Sequence, residues 1–432
     1  MSALAIGGLG LVALFALIFA QIPIGFAMII VGITGYALQA GWGPALTLLA
    51  SEPSGLLSSV DLATVPLFLL MGTFATAAGF STDIYNVAAS FLGHRRGGLA
   101  YATIGGCAAF GAVCGSSTAT AATFAKAALP EMRKRGYADA FSTGTIAAGG
   151  ALKSLIPPSI VMILYCIVAK AFIFDLFIAA LVPALLAITL NLIAIAVQVR
   201  LQPGIAPLAA RIPWDERLAA LKRAAPVLLL LVSVFAGLYS GVFTVNEAAS
   251  VAAVLSLVFA LVRGKMRWAN VWVGVRESAS ATAMIYVIII GASVFTYFIT
   301  LARVPQALID LIGHLNMPPV AIIFVLLLAY LILGAVFDEI AAMLITLPFV
   351  LPVIEQLGYD VVWWGIVNVV VIELGMIIPP IGIIVFVLHG LAPDVPLRTI
   401  YRGVMPFIVA DLVLLALLTL FPAISLWLPA LL

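Results

Sequence analysis

The chain has 432 residues, 65% of them hydrophobic and only 9% charged, with a formal net charge of +2. A soluble globular domain carries about 25% charged residues, so this composition excludes that class and defines a polytopic integral membrane protein. Its basic residues sit in short loops between apolar runs rather than in one patch, so the net charge is no sign of nucleic-acid binding, and none is expected.

A helix needs about 20 apolar residues to cross the hydrocarbon core. Residues 3–21 and 24–40 meet that length on either side of Ile22-Pro23. The first Lys or Arg is Arg95, so residues 3–21 lack the basic start of a cleaved signal and read as a retained span. A loop with Glu52, Pro53 and Asp61 precedes a third span over residues 62–80. Residues 81–91, with Asp83 and Asn86, read as an interfacial helix that ends at His94-Arg95-Arg96-Gly97-Gly98.

Residues 99–114 and 118–129 are apolar but short, and Gly115-Ser116-Ser117 lies between them. Basic residues flank both ends of the pair. The positive-inside rule places such clusters on the cytoplasmic side, so the element leaves and returns to one side as a re-entrant hairpin. Residues 137–174 are too long for one plain span and are interrupted by Pro157-Pro158, which predicts a broken helix.

Residues 177–199 lead to the most basic connection, with Arg200, Arg211, Arg217, Lys222 and Arg223. Residues 226–240 and 248–262 come back to Arg263, Lys265 and Arg267, and residues 268–301 cross again with a break expected near Gly291. Two more short arms, 318–334 and 340–350, surround Phe337-Asp338-Glu339, flanked by Asp310, Glu355 and Asp360 in the pattern of an outer surface. Residues 361–391 hold the second broken helix, with Pro379-Pro380, and residues 407–428 form a final span.

The halves match at a fixed spacing. Pro130 and Pro352, Gly136-Tyr137 and Gly358-Tyr359, and Ile156-Pro157-Pro158 and Ile378-Pro379-Pro380 each lie 222 residues apart. Ser116-Ser117 then align with Asp338-Glu339, one hairpin tip on the other. The opposite charge flanks make the repeat inverted, and inverted repeats whose broken helices meet near the midplane are the plan of secondary transporters. A channel would more naturally line a pore with rings of charge or carbonyls from several chains.

Irregular backbone at membrane depth is tolerated only where it is buried in protein or lines a cavity. Carbonyls freed at a hairpin tip suit a hard cation, and half-helix N-termini suit an anion. Gly115, Ser116, Ser117, Thr118 and Thr120 are therefore candidates, although small residues are also favoured where helices pack in membranes. Ionisable residues within spans are functional hypotheses. Lys153 is placed to hold a substrate carboxylate or to stand in for a cation, or else is paired internally. Asp338 and Glu339 are placed to bind a cation or to pair with Lys153, and Glu373 faces the same choice. Cys107, Cys114 and Cys166 fall in apolar segments, and His94, His314 and His389 have no metal-ligand spacing. No nucleophile triad, Walker sequence or buried catalytic pair is present, so the chain does not read as an enzyme.

These residues resemble the large membrane subunit of tripartite ATP-independent periplasmic (TRAP) transporters over nearly the whole chain. The resemblance lies in residues 66–72, Gly97-Gly98-Leu99-Ala100, residues 115–120, Pro130-Glu131-Met132, Arg135-Gly136-Tyr137, residues 156–160, residues 241–249 and Pro379-Pro380-Ile381-Gly382. It implies an all-α polytopic membrane fold in the bacterial cell inner membrane. Two re-entrant hairpins and two broken helices would form a transport domain that moves against a scaffold as an elevator. Scaffold spans would occupy 1–80 and 176–300, the two transport repeats 81–175 and 301–395, and a last span 396–432.

The resemblance further implies import of organic acids coupled to Na+, a separate periplasmic substrate-binding protein, and a small four-helix membrane subunit docked on the scaffold. Carried over by position, Na+ would be held by Gly115, Ser116, Ser117, Thr118, Gly150 and Pro157, and in the second half by Asp338, Thr346 and Pro379. Substrate would meet Ser117, Thr120, Lys153, Ser154, Pro158 and Glu373. Lys153 stands where the family often carries a small residue. A stand-alone dicarboxylate–sodium symporter, which also uses inverted hairpins, is the alternative on these residues.

Overall fold

A computed structural model of the chain describes residues 2–314 and 317–431, without the side chain of Ala269. Among the described residues every regular element is helical, and nine stretches are long and apolar enough to cross a membrane. Helices satisfy their backbone internally, which is what a segment surrounded by lipid requires.

The chain opens with α1 (Ala3–Phe19), α2 (Ile24–Ala40), α3 (Trp42–Leu57), α4 (Thr64–Ala77) and α5 (Phe80–Leu92). The first hairpin is α6 (Gly98–Gly111) and α7 (Ser117–Lys134), and the first broken helix is α8 (Asp139–Ala151) and α9 (Ile160–Ala169). Long helices α10 (Ile173–Leu201), α11 (Trp214–Tyr239), α12 (Val245–Val262) and α13 (Trp268–Leu301) follow, then the short α14 (Val304–His314). The second hairpin is α15 (Pro319–Val336) and α16 (Glu339–Gln356); the second broken helix is α17 (Val361–Gly375) and α18 (Ile383–Leu391), and α19 (Leu397–Leu420) closes the bundle.

The 222-residue spacing extends from motifs to elements. Helices α7 and α16 begin and end 222 residues apart, and α8 and α17 begin 222 apart. In each half the broken helix unwinds at a Pro-Pro pair whose second bond is cis.

Four expectations are corrected. Helix α13 runs unbroken through Gly291, because that glycine serves contact rather than bending: a Cβ there would lie 2.5 Å from the carbonyl oxygen of Gly25 on α2. Glu52 and Pro53 belong to helix α3 rather than a loop. Helix α11 starts at Trp214, so Arg217, Lys222 and Arg223 are helical. The second arm of the first hairpin starts at Ser117, because the Ser116 hydroxyl caps it by accepting the Ala119 N–H at 3.3 Å, and it runs past Pro130 to Lys134.

Two contacts tie the halves together. Helices α8 and α19 cross backbone to backbone: a Cβ on Gly403 would lie 1.7 Å from the Ala140 carbonyl oxygen, and one on Gly144 2.1 Å from that of Gly403. Close approach through small residues is how membrane helices gain packing energy where lipid supplies no hydrophobic drive. Near the ends of α7 and α18, Arg133 binds Asp139 at 2.7 Å and Asp394 at 2.6 Å. The Arg133 hydrogen bond holds the Asp394 carboxyl below the usual carboxylate range.

Gly403→Ala should destabilise the protein by about 1–3 kcal/mol, the usual cost of overpacking. Gly105→Ala, where nothing lies within 4 Å of the added Cβ, should not. Thermal unfolding of the two variants in detergent compares them directly, and equal midpoints would mean the crossing relaxes freely.

Candidate functional site

Four side chains from four elements meet in the interior. Ser117 is the first residue of α7, Glu339 the first of α16, and Glu373 lies in the last turn of α17. Ser154 lies in a single 3₁₀ turn, Leu152–Leu155, after α8. That turn ends because Ile156 precedes Pro157 and takes an extended conformation (φ −100°, ψ 115°), as the residue before a proline prefers.

The Ser117 hydroxyl lies 3.1 Å from Oε2 of Glu339, 3.1 Å from Oε1 of Glu373 and 3.0 Å from the Ser154 hydroxyl. Ser154 donates its backbone N–H to Glu373 Oε1 at 2.9 Å and its hydroxyl to Glu339 Oε2 at 2.9 Å. A hydroxyl has one proton, so Ser117 serves one carboxylate at a time. All four residues are buried.

Lys153 is fully buried beside this group. Its Nζ donates to the carbonyl oxygen of Gly115 at 3.1 Å, and its stem lies against Gly111, where a Cβ would come within 3.0 Å of it. The expected ion pair from Lys153 to Asp338 or Glu339 is not formed. Among the described residues the ion pairs are those of Arg133 and that of Arg263 with Asp83. Asp338 is exposed and caps α16 by accepting the Ile340 N–H at 3.0 Å. Its neighbour Glu339 is the acid that turns inward.

The remaining candidates lie apart from the four-residue cluster or serve the backbone. Ser116 and Thr118 bond each other at 2.9 Å, and Thr120 donates to the Ser116 carbonyl at 2.9 Å. Gly150 provides close approach, since a Cβ would lie 2.7 Å from that of Ala121. Thr346 bonds Tyr330 and the Ala342 carbonyl further along α16. Pro157 and Pro158 are buried, whereas Pro379 is exposed. Sequence reasoning missed one further buried pair, Asn191 donating to Asp411 at 3.0 Å between α10 and α19. An acid inside the last span was the available signal.

The tip of the first hairpin also borders a cavity of about 500 Å³. Gly115, Ser116 and Ala119 form one wall; Thr73 and Thr76 of α4, with Asn270 and Glu277 of α13, form much of the other. Thr73 and Ser278 bond across the α4–α13 contact at 3.1 Å. The cavity adjoins Met266 and so sits at the end of α13 nearest Arg263, Lys265 and Arg267. Asn270 and Glu277 lie seven positions apart on the helix, a depth of about 10 Å at 1.5 Å per residue.

Hairpin tips that meet in a buried polar cluster, beside an open cavity and within an all-helical membrane body, define a membrane transport protein. The family model described as "Tripartite ATP-independent periplasmic transporter, DctM component" matches residues 11–424, and the chain belongs to that family. The C4-dicarboxylate TRAP transporter large permease protein DctM of Pseudomonas aeruginosa is 36% identical over 90% of this chain and 93% of its own length. The sialic acid large permease SiaM of Vibrio cholerae is 30% identical over 96% of both chains. The ectoine/5-hydroxyectoine large permease UehC of Ruegeria pomeroyi is 33% identical over 85% of this chain and 86% of its own. In fold the chain is similar to the YdaH transporter of Alcanivorax borkumensis, with a TM-score of 0.63 at 16% identity over 91% of each chain. The protein is thus a TRAP large permease, a multi-pass protein of the inner membrane.

Lys153→Met removes the hydrogen bond from a buried ammonium group to the Gly115 carbonyl and should destabilise the fold by about 1–3 kcal/mol. Adding Glu373→Gln should recover much of that loss. A thermal-unfolding double-mutant cycle measures the coupling, and strictly additive effects would separate Lys153 from the cluster.

Proposed function

We propose that this chain is the transport subunit of a sodium-coupled secondary importer of small organic acids. It receives substrate from a periplasmic binding protein and works beside a small four-helix membrane subunit. The observation that carries this reading is the hydrogen bond between Ser117 and Glu339, tip residues 222 positions apart. Two hairpins that touch through equivalent residues are the core of an inverted-repeat transport site. Relatives named for C4-dicarboxylates, sialic acid and ectoine are permeases for small carboxylates, which supports the substrate class.

The oxygen set of Ser117, Ser154, Glu339 and Glu373 is of the kind hard cations prefer. The cluster sets two carboxyl groups beside the single amino group of Lys153. The first hairpin tip is less suited to sodium, since the Gly115 carbonyl already accepts the Lys153 ammonium. Residues 81–175 and 301–395 form the moving body in this reading, carried past the scaffold as an elevator. The positive-inside rule puts the Arg263–Arg267 loop, and with it the cavity, on the cytoplasmic side.

Proteoliposomes holding the chain with its small subunit and binding protein should take up substrate only with an inward sodium gradient. Uptake by the chain alone would favour a self-sufficient symporter. In the complete system Ser117→Ala should raise the sodium concentration for half-maximal uptake several-fold. An unchanged sodium dependence would remove the cluster from coupling.

A further inference from the structure

A second cavity, of about 450 Å³, lies between α5, α7 and α11. Asp83, Asn86 and Ser90 line it from α5, Glu131 from α7 with Arg135 just past its end, and Glu216 and Arg223 from α11. Glu131 and Arg135 have the i, i+4 spacing at which opposite charges on a helix ordinarily pair. They form no ion pair, and neither do Glu216 and Arg223 among the described residues. Asp83 alone of this set is paired, with Arg263 at 2.5 Å. Two glutamates and two arginines thus face one cavity with their charges uncommitted.

Tyr85 also lines the cavity. It is 2% exposed, and its phenol oxygen makes no hydrogen bond among the described residues. Burial holds that phenol above its ordinary range, so it stays a neutral donor. A buried hydroxyl without a partner costs free energy unless a ligand or a water takes the bond. The acids do not converge on a metal, since among the described residues no three His, Cys, Asp or Glu side chains are placed to hold one. A purely anionic ligand would meet Glu131 and Glu216, and a purely cationic one the two arginines. Like charges brought together select against both. A ligand with one negative and one positive group answers both sets.

The cavity lies at the level of lipid head groups. Asp83 binds Arg263, the first residue of the basic loop that the positive-inside rule places on the cytoplasmic side. On α11, Arg217 stacks on Trp214 and on Phe91 of α5, 5.1 and 5.6 Å from the ring centres, and Trp214 is exposed. Exposed tryptophan is characteristic of the membrane–water interface. We propose that this cavity is a phospholipid site for a phosphate joined to a primary ammonium, the phosphoethanolamine head group. Arg135, Arg223 and the Tyr85 phenol hold the phosphate, as charge-assisted donors suit its oxygens, and Glu131 and Glu216 accept the ammonium N–H groups. A trimethylammonium group has no N–H to give, so a choline head group fits less well. Such a site stands apart from sodium coupling and from the transported substrate.

The test uses the detergent-purified permease with its small subunit, stripped of lipid, with thermal unfolding as the readout. Phosphatidylethanolamine in mixed micelles should raise the unfolding midpoint more than phosphatidylcholine or phosphatidylglycerol with the same acyl chains. Tyr85→Phe and Glu216→Gln should each raise the phosphatidylethanolamine needed for half of that effect about tenfold, as expected for one lost hydrogen bond to a charged group. Glu216 is exposed, so Glu216→Gln reads the site even where Tyr85→Phe weakens the fold. Soluble phosphoethanolamine at the same concentrations should do little, and stabilisation equal to that by the lipid overturns the lipid assignment in favour of a soluble ligand. Equal midpoints with all three lipids, or an unaltered response in Glu216→Gln, overturn the head-group assignment.

Discussion

The structure depends on satisfying polar groups where there is no water. Each hairpin tip and each Pro-Pro break brings helix ends and free carbonyls to membrane depth, and every such group left alone there costs several kcal/mol. The solution is mutual. Ser154 is released by the turn before Pro157 and gives both its N–H and its hydroxyl to glutamates of the other half, while Ser117 bridges the same two acids. Irregular backbone in one half is thus balanced by side chains from the other. Neither half is complete by itself.

Much of this was legible in the sequence, and the reasons are physical. Span lengths, the paired helices around Gly115 and Asp338 and the 222-residue spacing follow from apolar run length and the placing of glycine and proline, which act locally. Side-chain direction is not local. Asp338 and Glu339 are adjacent acids at one tip, and only the cap geometry, with Asp338 spent on the Ile340 N–H, decides that Glu339 faces inward. The break expected at Gly291 failed for a similar reason, because a glycine that admits a neighbouring backbone looks the same in sequence as one that bends a helix. Lys153 was recognised as unusual, but its partner turned out to be a carbonyl rather than an acid.

The close crossing of α8 and α19 limits which parts move together. With Gly144 and Gly403 in backbone contact there is no room for either helix to slide past the other. Interfaces packed this tightly behave as rigid units rather than deformable ones. Helix α19 and the first broken helix therefore form one packed unit.

The Ser117–Glu339 contact also carries a symmetry constraint. Residues at equivalent positions of two copies touch only beside the axis that relates the copies. Two identical copies would set each residue there against its own twin: serine on serine, or glutamate on glutamate. The first arrangement lacks charge, and the second sets two acids within hydrogen-bonding distance of each other. A hydroxyl facing a carboxylate requires halves that differ in sequence, as Ser117 and Glu339 do. The pair thus marks a property that a symmetric dimer of identical repeats cannot possess.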